Sequence, residues 1–118
     1  MTDARVAVEL VDEASDGVRL VLRGDIDLLA DEALAAASAA AAARGASSLT
    51  LDFNAIDYIN STGIALIVRL LAEARRDRRT VVAVGLSDHY RELFQITRLS
   101  DYMTIADDAP HSPEETAP

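Results

Sequence analysis

The sequence predicts an α/β protein, a single domain with a mixed sheet of about five strands and helices packed against it. Three observations carry that reading. Several short stretches alternate apolar and polar residues at period two, the pattern of a half-buried strand. Three longer stretches follow helical spacing or are rich in helix formers. The two kinds alternate along the chain, so helical crossovers join successive strands and part of the sheet must be parallel. At 118 residues, half of them hydrophobic, the chain is long enough for one core that buries about 65% of the unfolded surface, and it leaves no room for a second.

In chain order, "RVAVELV" (5–11) sets Val6, Val8 and Leu10 against Ala7 and Glu9, and "GVRLVLRG" (17–24) points Val18, Leu20 and Leu22 inward. The "DEASDG" between them is turn chemistry, so the two strands form a hairpin. After "GDIDLLAD" comes "EALAAASAAAAARGA", a helix built from the best helix former, anchored by Leu34 and closed by Gly45. "SLTLDF" (48–53) is the third strand, with Leu49, Leu51 and Phe53 on one face and a short loop behind it.

"STGIALIVRLLAEARRD" reads as the second helix, with Ile64, Ile67, Val68 and Leu71 forming a buried stripe. "TVVAVG" (80–85) is a continuous apolar run, which suits a central strand buried on both faces. "SDHYRELFQITRL" (87–99) is a third helix with Tyr90, Leu93, Phe94 and Thr97 on one side, and "YMTIA" (102–106) is a short last strand. Residues 1–106 thus make the domain. The remainder, "DDAPHSPEETAP" (107–118), holds four acids, three Pro and no large apolar residue, and is expected to be a disordered acidic tail because it cannot offset the entropy of ordering itself.

Composition excludes several classes. Without Cys there is no disulfide framework, thiolate nucleophile or Cys-based zinc site. The N-terminus lacks a basic region followed by an apolar run, and no later stretch offers about 18 uninterrupted apolar residues, so a cytoplasmic protein without direct membrane insertion is expected. "NST" (60–62) matches a glycosylation sequon, a chance match in that setting. The net charge is −9, and residues 1–57 hold eleven acids and four Arg. Such an acidic front half argues against nucleic acid as a direct partner, since phosphate binding needs a concentrated basic surface. The cluster "RRDRR" (75–79) is the one basic candidate, and it reads first as cations complementing a helix C-terminus.

The informative junction is "DYINSTGIALIV" (57–68), where a helix opens at a Ser-Thr-Gly step. A Ser or Thr oxygen at that point can satisfy one of the free N–H groups of the first turn, which explains a hydroxyl without any function. Gly63, however, costs up to about 1 kcal/mol relative to Ala inside a helix and leaves bare backbone beside Ser61 and Thr62. The same N-terminus, with its partial positive charge, can hold a phosphate. Lying after a strand, it also falls at a strand's C-terminal edge, where open α/β sheets place functional loops.

Three stretches together resemble the STAS domain family, and within it the bacterial anti-sigma factor antagonists: "GDID" (24–27), "LDFNAIDYINSTGIALIV" (51–68) and "LFQITRLSDYMTI" (93–105). The resemblance covers about residues 5–106. It implies partner switching, in which the antagonist binds an anti-sigma factor that is also a Ser/Thr kinase of the GHKL type, the kinase inactivates it by phosphorylating the first Ser of the motif, and a phosphatase restores it. By position that acceptor is Ser61, with Thr62 as a second candidate. The implied partner-binding surface comprises Asp25, Asp27, Asp57, Tyr58, Asn60, Ser61, Thr62 and Gly63. The family usually has Asp just before the acceptor, where this chain has Asn60. Asn keeps a carbonyl but loses the charge, so slower phosphorylation or a changed kinase is expected.

No enzyme, cofactor or metal is expected. His89 and His111 lie far apart, the second in the tail, which argues against a metal site or a Ser-His-acid triad. Asp25 and Asp27 flank Ile26 and would share one side of an extended segment, a weak signal for acid-base chemistry. "VAVGLSD" has a single Gly and is no phosphate loop. The chain is expected to be a kinase substrate and a monomer when free. Two rival readings are a STAS subunit of a membrane transport assembly and a sensor of a small ligand such as a nucleotide.

Overall fold

A computed structural model describes residues 5–106. The expected tail, 107–118, lies outside the described residues. Within them the order is β1 (Val6–Glu13), β2 (Gly17–Ile26), α1 (Asp31–Ala43), β3 (Ser48–Ile59), α2 (Ser61–Arg76), β4 (Thr80–Val84), α3 (Asp88–Ile96) and β5 (Thr104–Ile105), with 3-10 turns at Leu28–Ala30 and Leu99–Asp101. The five strands form one sheet in the spatial order β1-β2-β3-β4-β5. β1 and β2 form the expected antiparallel hairpin, and all later pairings are parallel.

Alternation decides which side of the sheet is covered. Val18, Leu20, Leu22, Leu49 and Leu51 are each at most 2% exposed and join one core with Leu34, Ala37 and Ala41 of α1 and with α2. The small Ala side chains of α1 let that helix lie close to β1 and α2. The opposite face is polar at its centre: the Arg19 guanidinium is 3.1 Å from both Glu13 and Asp52, and the Thr50 hydroxyl donates to Glu13 at 3.1 Å. Burial of Asp52 raises its pKa, but hydrogen bonds from the Asn54 backbone and side chain, and then Arg19, outweigh it and hold the carboxyl below its ordinary value.

Four expectations are corrected. The buried stripe of α2 is Gly63, Leu66, Ile67, Leu70, Leu71 and Ala74, while Val68 is 43% exposed and Ile64 half-buried. The helix is turned by about one residue because Gly63 faces inward. β3 does not end at Phe53; it runs on to Ile59, beside β2, through two irregularities that each insert one extra residue, the second at Asp57. β4 has Val81, Ala83 and Val84 buried, but Val82 is only half-buried, because it faces the same polar side of the sheet as its register partner Thr50. α3 stops at Ile96, since Arg98 adopts a left-handed backbone (φ 68°) that starts the 3-10 turn, and Thr97 is exposed.

The ends of α1 and α2 share one hydrogen-bond pattern. In α1 the Gly45 N–H donates to Ala42 O and the Ala46 N–H to Ala41 O; in α2 the Arg78 N–H donates to Arg75 O and the Arg79 N–H to Ala74 O. Both are Schellman closures, which require a left-handed residue at the turn. Gly45 (φ 72°) and Arg78 (φ 61°) supply it.

Candidate functional site

β2, β3 and β4 are parallel to one another, so their C-terminal ends, at Ile26, Ile59 and Val84, lie along one edge of the sheet. The Ser-Thr-Gly step sits on this edge. Asn60 is the N-cap of α2: its backbone is extended (φ −93°, ψ −178°) and its side-chain Oδ1 accepts the Gly63 N–H at 2.8 Å. The hydroxyls therefore do not cap the helix, as expected from sequence; the residue before them does. Ser61 occupies the first helical position and is exposed, Thr62 is half-buried, and neither hydroxyl has a hydrogen-bond partner among the described residues.

Gly63 has a packing reason to be there. A methyl group at this position would lie 2.0 Å from the Ile26 carbonyl oxygen and 2.8 Å from its carbon. The same oxygen accepts the Asn60 N–H at 3.2 Å. The first turn of α2 is thus pressed onto the end of β2, closer than any side chain permits. Gly63 is buried, with its N–H already taken by Asn60, so it offers neither bare backbone nor a contact surface to a partner.

A second brace comes from α3. β4 stops at Val84, opposite Asp52, so β3 overhangs it from residue 53 onward. There the Tyr90 hydroxyl accepts the Ile59 N–H at 2.9 Å and donates to the Ile59 carbonyl at 3.4 Å, doing for one residue what a neighbouring strand would do. His89 stacks edge-on against Tyr90, with centroids 4.9 Å apart. Ile59 is held from both sides, and the chain directly after it is Asn60 and Ser61.

The remaining predicted residues divide by role. Asp25 stands opposite Tyr58 in the β2–β3 ladder and is half-buried, Asp57 is exposed in the irregular stretch, and Tyr58 is 54% exposed. Asp27 is tied into the fold: its carboxylate accepts the Leu29 N–H at 3.0 Å and caps the 3-10 turn. Leu28 and Leu29, which the sequence reading passed over, are 63% and 39% exposed on that turn. The only advance signal was two large apolar residues between acids in "GDIDLLAD". Leu66 and Ile59, which flank the junction on either side, are buried and add nothing to its surface.

The edge therefore presents an unengaged Ser hydroxyl at a helix N-terminus, carboxylates at Asp25 and Asp57, and an apolar surface from Leu28, Leu29 and Tyr58. Such a surface can dock a protein, and a phosphate on Ser61 would add about −1.5 to −2 charge beside those acids. Among the described residues, no group of three or more His, Cys, Asp or Glu is placed to hold a metal ion, and no helix is long and apolar enough to cross a membrane.

Comparison with known proteins agrees with this architecture. The chain is 27% identical over 100 residues to the anti-sigma-B factor antagonist of Listeria monocytogenes, covering 85% of this chain and 88% of that one. The structure of the anti-sigma factor antagonist SpoIIAA in its unphosphorylated form superposes with a TM-score of 0.71 at 20% identity, over 93% of this chain and 96% of that one. A protein of Thermotoga maritima superposes with a TM-score of 0.74 at 14% identity, over 92% of both chains. The family described as "Mlab, STAS domain" matches residues 9–105, nearly the whole described fold, and the chain belongs to the STAS domain family.

Proposed function

We propose that this protein is an anti-sigma factor antagonist that works by partner switching. It binds an anti-sigma factor of the GHKL Ser/Thr kinase type through the edge formed by Leu28, Leu29, Asp57, Tyr58 and Ser61. Phosphorylation of Ser61 by that kinase releases it, and a phosphatase resets it. The observation that carries the proposal is the division of labour at the junction. Asn60 caps α2, leaving the Ser61 hydroxyl exposed and without a partner, so a phosphate can be added there without removing a bond the fold uses.

The energetics favour release over refolding. A phosphate at the first turn is tolerated by the helix dipole and the free N–H groups of Ser61 and Thr62. Facing a partner, the same dianion meets the carboxylates of Asp25 and Asp57 and loses water, which costs several kcal/mol, on the order of a thousandfold in affinity. The curated relative's description as an anti-sigma-B factor antagonist supports the same reading.

The test is intact mass and phosphosite mapping of the protein recovered from its own cells, beside Ser61→Ala, with the co-purifying proteins identified. A phosphate on Ser61 and a kinase bound chiefly to the unmodified chain are expected. An unmodified Ser61 together with a transporter subunit as the bound protein would reject the proposal. Asn60→Asp should be phosphorylated faster than the natural chain; equal rates would separate the missing acid from any effect on the kinase.

A further inference from the structure

We propose that the C-terminal segment, residues 107–118, docks back on the far half of α2, across Tyr102 and the Arg residues that surround it. This surface is at the opposite end of α2 from Ser61, and the proposal does not rest on partner switching.

The first observation is a charge imbalance. The chain has 20 acids against 11 Lys and Arg. Arg19, Arg23, Arg44, Arg69, Arg79 and Arg98 each pair with a carboxylate. Arg75, Arg76 and Arg78 have no carboxylate partner among the described residues, although acids are plentiful. Arg78 also stands in a left-handed backbone (φ 61°), where Gly would close the helix without strain.

The second observation is the shape beside those cations. The Arg75 guanidinium lies 5.0 Å from the centroid of the Tyr102 ring. Tyr102 divides two hollows. One, of about 580 Å³, is lined by Arg75, Arg78, Arg79 and Thr104, with three cations against the single carboxylate of Asp101, which pairs with Arg98. The other, of about 400 Å³, is walled by Val68, Leu71, Ala72 and Leu99. Val68 is 43% and Tyr102 49% exposed, so an apolar strip runs beside a basic one with nothing from the described fold upon it.

The segment "DDAPHSPEETAP" complements both strips. It carries four acids and neither Lys nor Arg. Pro110 and Pro113 are three apart in sequence, the spacing of the Pro-rich peptides that aromatic-lined grooves accept. The acids on either side, Asp107, Asp108, Glu114 and Glu115, then reach the Arg residues. Connectivity makes the docking local. Ala106, whose N–H donates to Ala83 O at 2.8 Å, lies only two residues beyond Thr104, which lines the basic hollow. At about 3.3 Å per residue, twelve residues reach roughly 40 Å, ample to turn back over α2. The segment has no large apolar residue with which to build its own core, and the groove supplies the surface that it lacks.

The absence of Cys makes a clean test available in the full chain. A nitroxide spin label attached through Ser112→Cys should broaden the NMR signals of Val68, Leu71, Ala72 and Tyr102. The broadening should be lost in about 1 M salt, where the Debye length falls to about 3 Å, and in Arg75→Gln/Arg78→Gln. Both Arg residues are exposed, so the fold survives their replacement. Broadening confined to residues 103–106, or spread evenly over the surface, would overturn the proposal. So would broadening of an unlabelled, isotope-enriched copy by a spin-labelled one, because the groove's occupant would then be a second molecule.

Discussion

α1 and α2 lie side by side against the same sheet, and they are built on different principles. α1 starts after a 3-10 turn at Ala30, which has no side chain that can cap it, and is filled with Ala. α2 starts on a side-chain cap from Asn60 and a glycine pressed onto a neighbouring strand. Their ends share one hydrogen-bond pattern, yet α1 completes it with Gly45 and α2 with Arg78. α1 is specified by composition, and many single changes should leave it intact. In α2 individual residues fix both ends, and each of the two proposed docking surfaces concerns one of those ends.

That contrast can be broken at several points. The largest effect is expected from Gly63→Ala, because the added methyl meets backbone atoms of Ile26, which cannot withdraw while Ile26 is paired with Ile59. A loss of about 3 kcal/mol is expected by urea denaturation. Glu32→Ala in the first turn of α1 should stay within about 0.5 kcal/mol. Equal costs at the two positions would end the distinction between the helices.

Next come the braces around Ser61. Asn60→Ala should cost about 1 kcal/mol, whereas Asn60→Asp keeps the cap and the stability. Tyr90→Phe, which deletes both contacts to Ile59, should also cost about 1 kcal/mol and shift the amide resonances of Ile59 through Ser61. Ser61→Ala should be neutral within about 0.5 kcal/mol, and a larger loss would mean that the hydroxyl does structural work. The finest comparison is at the C-terminal ends: Gly45→Ala should lose roughly 1 kcal/mol and Arg78→Gly gain a similar amount, since both report the cost of a side chain in a left-handed backbone. A loss on Arg78→Gly would show that the Arg makes a stabilising contact in the full chain.

The strands of regular period were legible from sequence because burial follows alternation: Val18, Leu20, Leu22, Leu49 and Leu51 are all in the core. The overhang of β3 was not, because its two extra residues break the period and leave Ile56 and Ile59 three apart, which reads as a loop. The stripe of α2 was displaced by one residue because Gly63 has no side chain to count as apolar, yet it faces the core. The cap was misassigned for a related reason: Asn, Ser and Thr all cap helices, and only the backbone angles at position 60 decide among three adjacent candidates. The exposed Leu28 and Leu29 were invisible as a surface, since a 3-10 turn of three residues has no period to read.

Because Asn60 holds the first turn, the residue at position 61 is free of any duty to the fold. Selection for stability cannot see it. Under the switch proposed above, a lineage that no longer needs the signal can exchange Ser61 for Ala, or fix a permanently charged form with Glu, and inherit an intact domain either way. Among descendants of this protein, the proposed regulatory state could then change faster than the structure that carries it.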